Sequence, residues 1–503
     1  MSPWEGIITG FLTVLNFKVL IVCFFGVLIG TLVGVLPGLG PVGACALLLP
    51  LTFGQDVTTA LIMLCGIYYG AMYGGSTTSI LVNVPGEVSS VVTCIDGHQM
   101  ALKGRAGPAL AIAAIGSFVA GTMGIFLLMI ISPPLARLAV RFGPPEYFAL
   151  GFIGLLTLSR MSGKSPLKSY VMMLFGVVLA TVGIDSISGY PRLTGGSSEL
   201  LEGFDWVPVI MGLYGIAEVL ESLKQVGVPS LVVKLRTRDL ILTRKDIKDS
   251  AGPIVRGGLI GFFLGILPGA TLILSTWVSY WVERKISKKP EEFGQGAIAG
   301  VAGPESANNA ATAGHLVPLL SLGIPFSAMP AVLLGGFMIH GIIPGPLLIR
   351  DHPTVFWGII VSMYIGNIML LILNLPLVGI FARVAVIPAR ILMPIVIVFC
   401  FLGAFAVRNS IFDLFVLVIF GILGYLFRQE GYESSPLVLG LILGPMLENS
   451  LRQSMIMFKG DYTRFFYRPI SSVILVIAII VIFSPFLKII FARIRERYVS
   501  KTQ

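Results

Sequence analysis

Two polar clusters interrupt an otherwise apolar chain: Gly74-Gly75-Ser76-Thr77-Thr78 and Glu305-Ser306-Ala307-Asn308-Asn309-Ala310-Ala311-Thr312. Polar groups in apolar surroundings cost several kcal/mol when left unpaired, so their presence needs a reason. Hydroxyls and side-chain amides beside glycine hold the donors and acceptors to ligate a carboxylate or a desolvated cation. Glu305 is ionisable within an apolar segment, which marks a functional candidate for a coupling cation or a proton; the structural alternative is a buried partner for an Asn amide. Asn83, in Asn83-Val-Pro-Gly-Glu87 just beyond the first cluster, joins the candidates. Ser, Thr and Asn also bridge packed membrane helices. Each cluster, however, lies about 40 residues downstream of a matching break in the chain, and that recurrence favours ligation.

Enzyme chemistry finds no footing. An acid–base pair, a metal cluster or an activated nucleophile is wanted for it, and none is visible. The four histidines (His98, His315, His340, His352) lack metal-ligand spacing, and the five cysteines (Cys23, Cys45, Cys65, Cys94, Cys400) form no CxxC. Ser162-Gly163-Lys164-Ser165 resembles the tail of a phosphate-binding loop, but Leu158 stands where its first glycine belongs. No catalytic residue, metal or organic cofactor is expected, and energy must come from an ion gradient or another subunit.

The elements that would position the clusters are two broken helices. Gly26-Val-Leu-Ile-Gly30-Thr-Leu-Val-Gly34-Val-Leu-Pro37-Gly38 recurs 231 positions later as Gly257-Gly-Leu-Ile-Gly261-Phe-Phe-Leu-Gly265-Ile-Leu-Pro268-Gly269, with eight of thirteen positions identical. Glycine at every fourth position gives a helix a smooth face that a neighbour can approach closely. Leu-Pro-Gly then ends it, because proline lacks the N–H and glycine accepts positive φ. Free N–H ends at such breaks favour anions and free carbonyl ends favour Na⁺. Pro37, Gly38, Gly40, Pro268 and Gly269 are therefore site candidates together with Gly74, Gly75, Ser76, Thr77, Thr78, Asn83, Glu305, Asn308, Asn309 and Thr312. Asn367 and Asn374, seven apart and close to one helix face, suit structural hydrogen bonding.

Composition sets the solvent. The 503 residues are 55% hydrophobic and 12% charged, with mean hydropathy +0.92, against about 25% charge in soluble domains. The fold class expected is an all-α polytopic membrane protein with about 10–12 transmembrane helices of roughly 20 residues. Two internal repeats, inverted, with re-entrant or broken helices, account for the duplication. Residues 1–223 form the first repeat, 224–256 a basic cytoplasmic linker, and 257–503 the second repeat with additional helices. The net charge of +10 lies in short loops, as positive-inside topology requires, and does not indicate nucleic acid. Basic residues flank 257–282 on both sides, and 26 residues are too few for two crossings, so a re-entrant hairpin with its tip at Pro268-Gly269 is expected. Stretch 185–205, with Arg192 its sole basic residue, reads as outward facing; 87–107 reads as a polar loop. The N-terminus lacks a basic residue before Lys18 and is expected to be retained.

Taken together these residues resemble the TctA family, the large membrane subunit of tripartite tricarboxylate transporters. The resemblance rests on the two Leu-Pro-Gly breaks and Tyr69-Gly-Ala-Met-Tyr-Gly-Gly-Ser-Thr-Thr-Ser-Ile80. It extends to Asn83-Val-Pro-Gly-Glu87, Pro304-Glu-Ser-Ala-Asn-Asn-Ala310, Pro318-Leu-Leu-Ser-Leu-Gly-Ile-Pro325 and Leu439-Gly-Leu-Ile-Leu-Gly-Pro-Met-Leu-Glu448. Departures are Phe326 in place of a glycine after Ile-Pro, and Ala270-Thr271-Leu272 in place of a Gly-Ala-Gly run. The resemblance implies a permease of the bacterial inner membrane. It implies two partners, a small TctB-like membrane subunit and a periplasmic TctC-like solute-binding protein. It also implies uptake of carboxylates such as citrate, driven by Na⁺ or H⁺. A carboxylate transporter working alone is the competing reading.

Overall fold

The computed structural model describes residues 3–36, 40–161, 165–223, 237–384 and 389–481. Pro37, Gly38, residues 162–164 and part of the basic linker, 224–236, lie outside the described residues. The first half contains α1 (Pro3–Val14), α2 (Phe17–Val35), α3 (Gly40–Leu48), α4 (Val57–Val82), α5 (Val91–Leu102), α6 (Ala106–Ala139), α7 (Pro144–Met161) and α8 (Pro166–Ala180). A two-residue β-ladder, β1 (Gly183–Ile184) on β2 (Pro191–Arg192), closes the polar 185–205 stretch. Next come α9 (Trp206–Ile210), a π-helical turn over Met211–Ile216, and α10 (Ala217–Ser222).

The second half runs through α11 (Arg244–Gly265), α12 (Thr271–Ile286), α13 (Ala299–Leu322), α14 (Ala328–Ile339), α15 (Leu348–Asp351) and α16 (Pro353–Asn374). It continues with α17 (Val378–Val384), α18 (Ala389–Arg408), α19 (Ile411–Gln429) and α20 (Ser435–Met457), and a last helical stretch, Pro469–Val481. Among the described residues, five helices are long and apolar enough to cross a bilayer: α2, α4, α6, α16 and α19. Others, such as α8 and α14, are apolar but shorter, because the chain breaks them before the roughly 20 residues a crossing needs.

The glycine ladders do what their spacing promised. A methyl group at Gly26, Gly30 or Gly34 would lie 2.8, 2.5 or 2.2 Å from the carbonyl oxygens of Met63, Ile67 and Ala71 on α4. At Gly257, Gly261 and Gly265 it would lie 2.2, 2.1 and 2.5 Å from those of Gly303, Ala307 and Ala311 on α13. In each half a glycine-faced helix thus packs backbone to backbone on the helix that carries the polar cluster. Helix α11 runs unbroken across residue 256, so the basic segment and the ladder form one rod.

Helices α4 and α13 are the buried centre: every residue over 58–81 and 300–322 is buried. Neither polar cluster ends its helix; both lie inside unbroken helical turns. The expected polar loop 87–107 is instead a capped turn followed by α5, whose Val92, Asp96 and Met100 recur at helical spacing and are buried. Asp96 fixes the approach to α13. Its Oδ1 accepts the N–H groups of Gly294 (2.9 Å), Gly296 (2.7 Å) and Ala297 (2.8 Å), and its Oδ2 the Tyr280 hydroxyl (2.9 Å). That clasp holds α5 against α13.

Candidate functional site

Between the starts of α3 and α12 lies a cavity of about 530 Å³. Gly40 and Pro41 line one side at the start of α3; Gly269, Ala270 and Thr271 line the other at the start of α12. Gly269 has φ +124, a conformation only glycine takes without strain, and its N–H donates to the Phe326 carbonyl at 3.1 Å. That bond joins the break to the α13–α14 connection, so Ser327 and Ala328 at the start of α14 also reach the cavity. Ser434 and Ser435 bring the start of α20.

Four helix N-termini therefore converge on one space. Those of α12, α14 and α20 receive no capping bond from the side chains of Ala270, Ser327 and Ser434, so their first-turn N–H groups lack that acceptor. Each helix start carries about half a positive charge, which favours an anion. Ser434 is buried, and its Oγ has no hydrogen-bond partner among the described residues.

Side chains add charge and shape. Arg428 lines the cavity and pairs with Glu218, its second nitrogen donating to the Leu213 carbonyl at 3.4 Å. Tyr214 and Ser435 share a hydrogen bond of 3.0 Å. His315, from α13, is fixed at both ring nitrogens: Tyr68 (2.9 Å) and Ser327 (3.3 Å) at Nδ1, Thr271 (2.8 Å) at Nε2. Glu87 and Ser89 form the inner wall.

Behind that wall sits the Ser/Thr/Asn network. Asn308 Nδ2 donates to Glu87 Oε1 at 3.0 Å, and Ser89 Oγ lies 2.5 Å from Glu87 Oε2 and 2.7 Å from Asn308 Oδ1. Glu305 is fully buried: Ser76 Oγ donates to its Oε2 at 2.5 Å and Thr93 to its Oε1. Asn309 Nδ2 donates to Ser117 Oγ at 2.7 Å, and Thr312 to the Asn309 carbonyl at 2.6 Å.

The residues singled out by sequence thus separate into layers. Gly40 and Gly269 line the cavity; Pro268 sits in the same break. Ser76, Thr77, Glu305, Asn308, Asn309 and Thr312 lie deeper, in or beside the network that Glu87 joins to the cavity. Gly74 belongs to packing, since a methyl there would lie 2.2 Å from the Thr31 carbonyl oxygen, and Gly75 makes room for Glu87. Thr78 hydrogen-bonds the Gly75 carbonyl within its own helix. Asn83 is exposed, away from the cavity, and ends α4 in the left-handed conformation (φ 59) that asparagine tolerates. Sequence reasoning missed His315, Glu87, Arg428, Glu218 and Tyr214. A usable signal existed for Glu87 and His315, each an ionisable residue close to a polar cluster.

Residues 20–439 match the model of the tripartite tricarboxylate transporter TctA family. An Agrobacterium vitis protein described as an uncharacterized 52.8 kDa protein in the TAR-I ttuC' 3'region is 49% identical over 470 residues, 93% of each chain. A second protein from that organism, in the TAR-II ttuC' 3'region, is 48% identical over 215 residues, 43% of this chain and 89% of its own length. No solved structure matches the chain.

Proposed function

The chain belongs to the tripartite tricarboxylate transporter TctA family, a family of transporters and not enzymes, and on that premise we propose that it is the permease through which a small carboxylate such as citrate crosses the bacterial inner membrane. Its partners are a small TctB-like membrane subunit and a periplasmic TctC-like binding protein that delivers the substrate. The observation that carries the substrate class is the convergence of four helix N-termini on the cavity between the starts of α3 and α12. A carboxylate there gains N–H donors and positive dipole ends without needing a basic cluster. A cavity of about 530 Å³ also lies in the range, roughly 300–1,000 Å³, that small-molecule sites occupy.

The charge balance supports cation coupling. Apart from His315, the acidic and basic side chains lining the cavity among the described residues are Glu87, Glu218, Glu433 and Arg428, three acids and one base. A polyanion entering that space needs added positive charge, which a co-transported Na⁺ or H⁺ supplies. The two glycine ladders, each packed on a cluster-bearing helix, support an internal duplication; we take the repeats to be inverted in the membrane, as in many secondary transporters, with about 10–12 crossings of roughly 20 residues when the shorter helices are counted. Moving the breaks together against a fixed scaffold then alternates access.

Uptake of labelled citrate and smaller carboxylates by cells expressing the permease with both partners tests the reading. Accumulation should require the binding protein and an inward cation gradient. Uptake indifferent to both overturns it.

A further inference from the structure

A second, much smaller space lies off the carboxylate cavity. It holds about 10 Å³, the room of one water-sized particle, and is walled by Tyr73, Ser76, Thr77, Ser117 and Asn374 together with apolar residues of α6. Its polar wall is oxygen-rich and comes from three helices, α4, α6 and α16. Asn374 is 4% exposed; its Nδ2 donates to the Leu370 carbonyl at 3.0 Å and lies 3.5 Å from Thr31 Oγ1, while its Oδ1 has no partner among the described residues. A buried amide oxygen left without a donor costs about 1–3 kcal/mol, so something electropositive belongs beside it.

The charge next to the space points the same way. Ser76 forms its wall and donates to Glu305 at 2.5 Å. Among the described residues the hydrogen-bond partners of the Glu305 carboxylate are the neutral hydroxyls of Ser76 and Thr93. A carboxylate sunk this deep without a basic partner stays ionised only beside a counter-charge. Hydroxyl and amide oxygens with one carboxylate behind them suit a hard, singly charged ion; divalent ions draw on more oxygens and usually several carboxylates. No group of three or more His, Cys, Asp or Glu that could hold a metal occurs among the described residues, so transition-metal chemistry has no ligand set here.

We propose that Ser76, Thr77, Ser117 and Asn374 enclose a Na⁺ site, charge-balanced by Glu305 and separate from the carboxylate cavity. The inference rests on the cation-coupled reading above and deepens it by giving the ion a place. It also links ion and substrate: Glu305 shares α13 with Asn308, and Asn308 holds Glu87 at the cavity wall.

The test is saturable ²²Na⁺ binding to the purified full-length permease, with Li⁺ and K⁺ as competitors. Wild-type protein should bind Na⁺, with Li⁺ displacing it better than K⁺ because the space is small. Ser117→Ala and Asn374→Ala should each weaken Na⁺ about tenfold or more, the loss of one good ligand. Asn374→Asp, which keeps the oxygen, should retain binding and so report that the helix position tolerates substitution. Carboxylate affinity lost in the alanine variants should return as Na⁺ is raised. No saturable ²²Na⁺ binding in the wild type, or alanine variants that bind Na⁺ as the wild type does, overturns the site. Because the ion is measured on the permease alone, a failure of carboxylate uptake in cells bears on the transport reading and leaves this test standing.

Discussion

Asn308 Nδ2 lies 3.0 Å from Glu87 Oε1, joining residues 221 positions apart and tying the wall of the cavity to the buried network of α13. Glu87 is 7% exposed, and its other donors come from Ser89 and the Ser90 backbone N–H. Anything that changes the charge or position of one of these two side chains must be felt by the other.

Asn308→Ala removes the amide donor from Glu87 and the acceptor facing Ser89. The variant should lose about 1–3 kcal/mol of stability, the range for an orphaned buried partner, and should abolish transport while still inserting. Thermal unfolding of the purified protein and uptake at matched membrane expression are the measurements. Wild-type uptake by a well-expressed Asn308→Ala protein would remove Asn308 from the site.

Gly261→Val and Gly40→Ala separate packing from conformation. At Gly261 a Cβ would stand 2.1 Å from the Ala307 backbone oxygen, so α11 and α13 must part; overpacking of this kind costs about 1–3 kcal/mol and often more. Gly40 has φ +58 with open space around it, so alanine there bears only the strain of the left-handed conformation, about 1–2 kcal/mol. Folded yield by size-exclusion chromatography should collapse for Gly261→Val and hold for Gly40→Ala. Equal yields would show that the ladder does not set the helix spacing.

Arg428 is the basic side chain among those lining the cavity, and it pairs with Glu218. Arg428→Gln should raise the carboxylate concentration for half-maximal uptake by roughly 10–100-fold, since a charge-assisted hydrogen bond is worth about 1.5–3 kcal/mol. The double variant Arg428→Gln/Glu218→Gln, which leaves no lone acid, should recover expression but not affinity. Recovery of affinity in the double variant would make the pair a structural one.

The β1–β2 ladder offers a pH prediction. Arg452 donates to both oxygens of Asp185 at 2.8 Å and, with help from the Ile187 backbone N–H, holds its carboxyl well below the usual carboxylate range. A lowered folded-state value means stabilisation that is fully present above the unfolded value of about 3.9 and fades as pH falls toward the folded one. Hydrogen exchange over 183–192, corrected for intrinsic rates, should stay slow from neutral pH down to about 4 and quicken below. With Arg452→Gln exchange should already be faster at neutral pH and its rise below about pH 4 shallower, because less stabilisation is left to lose; an unchanged profile would assign the hold to other partners.

Much of this was written in the chain. Leu-Pro-Gly breaks are local, because proline's missing N–H and glycine's positive φ act on their immediate neighbours, and the ladder spacing of four can serve only a close helix contact. Mean hydropathy and the long apolar runs fixed the solvent in the same direct way. The polar clusters were visible too, as groups that cannot be buried without partners.

Tertiary structure alone decided which partners they found. His315 meets Tyr68 from 247 residues away, Arg428 meets Glu218 from 210, and Asn308 meets Glu87 from 221. None of those distances leaves a periodicity to read. The placement of Asn83 as a helix end, of 87–107 as a capped turn and helix, and of the hydroxyl clusters one layer behind the cavity followed from how α4 and α13 pack, not from their own residues. Sequence named the chemistry because residue type and local spacing carry it; the fold assigned the addresses, because only packing brings four helix starts and one arginine to the same 530 Å³.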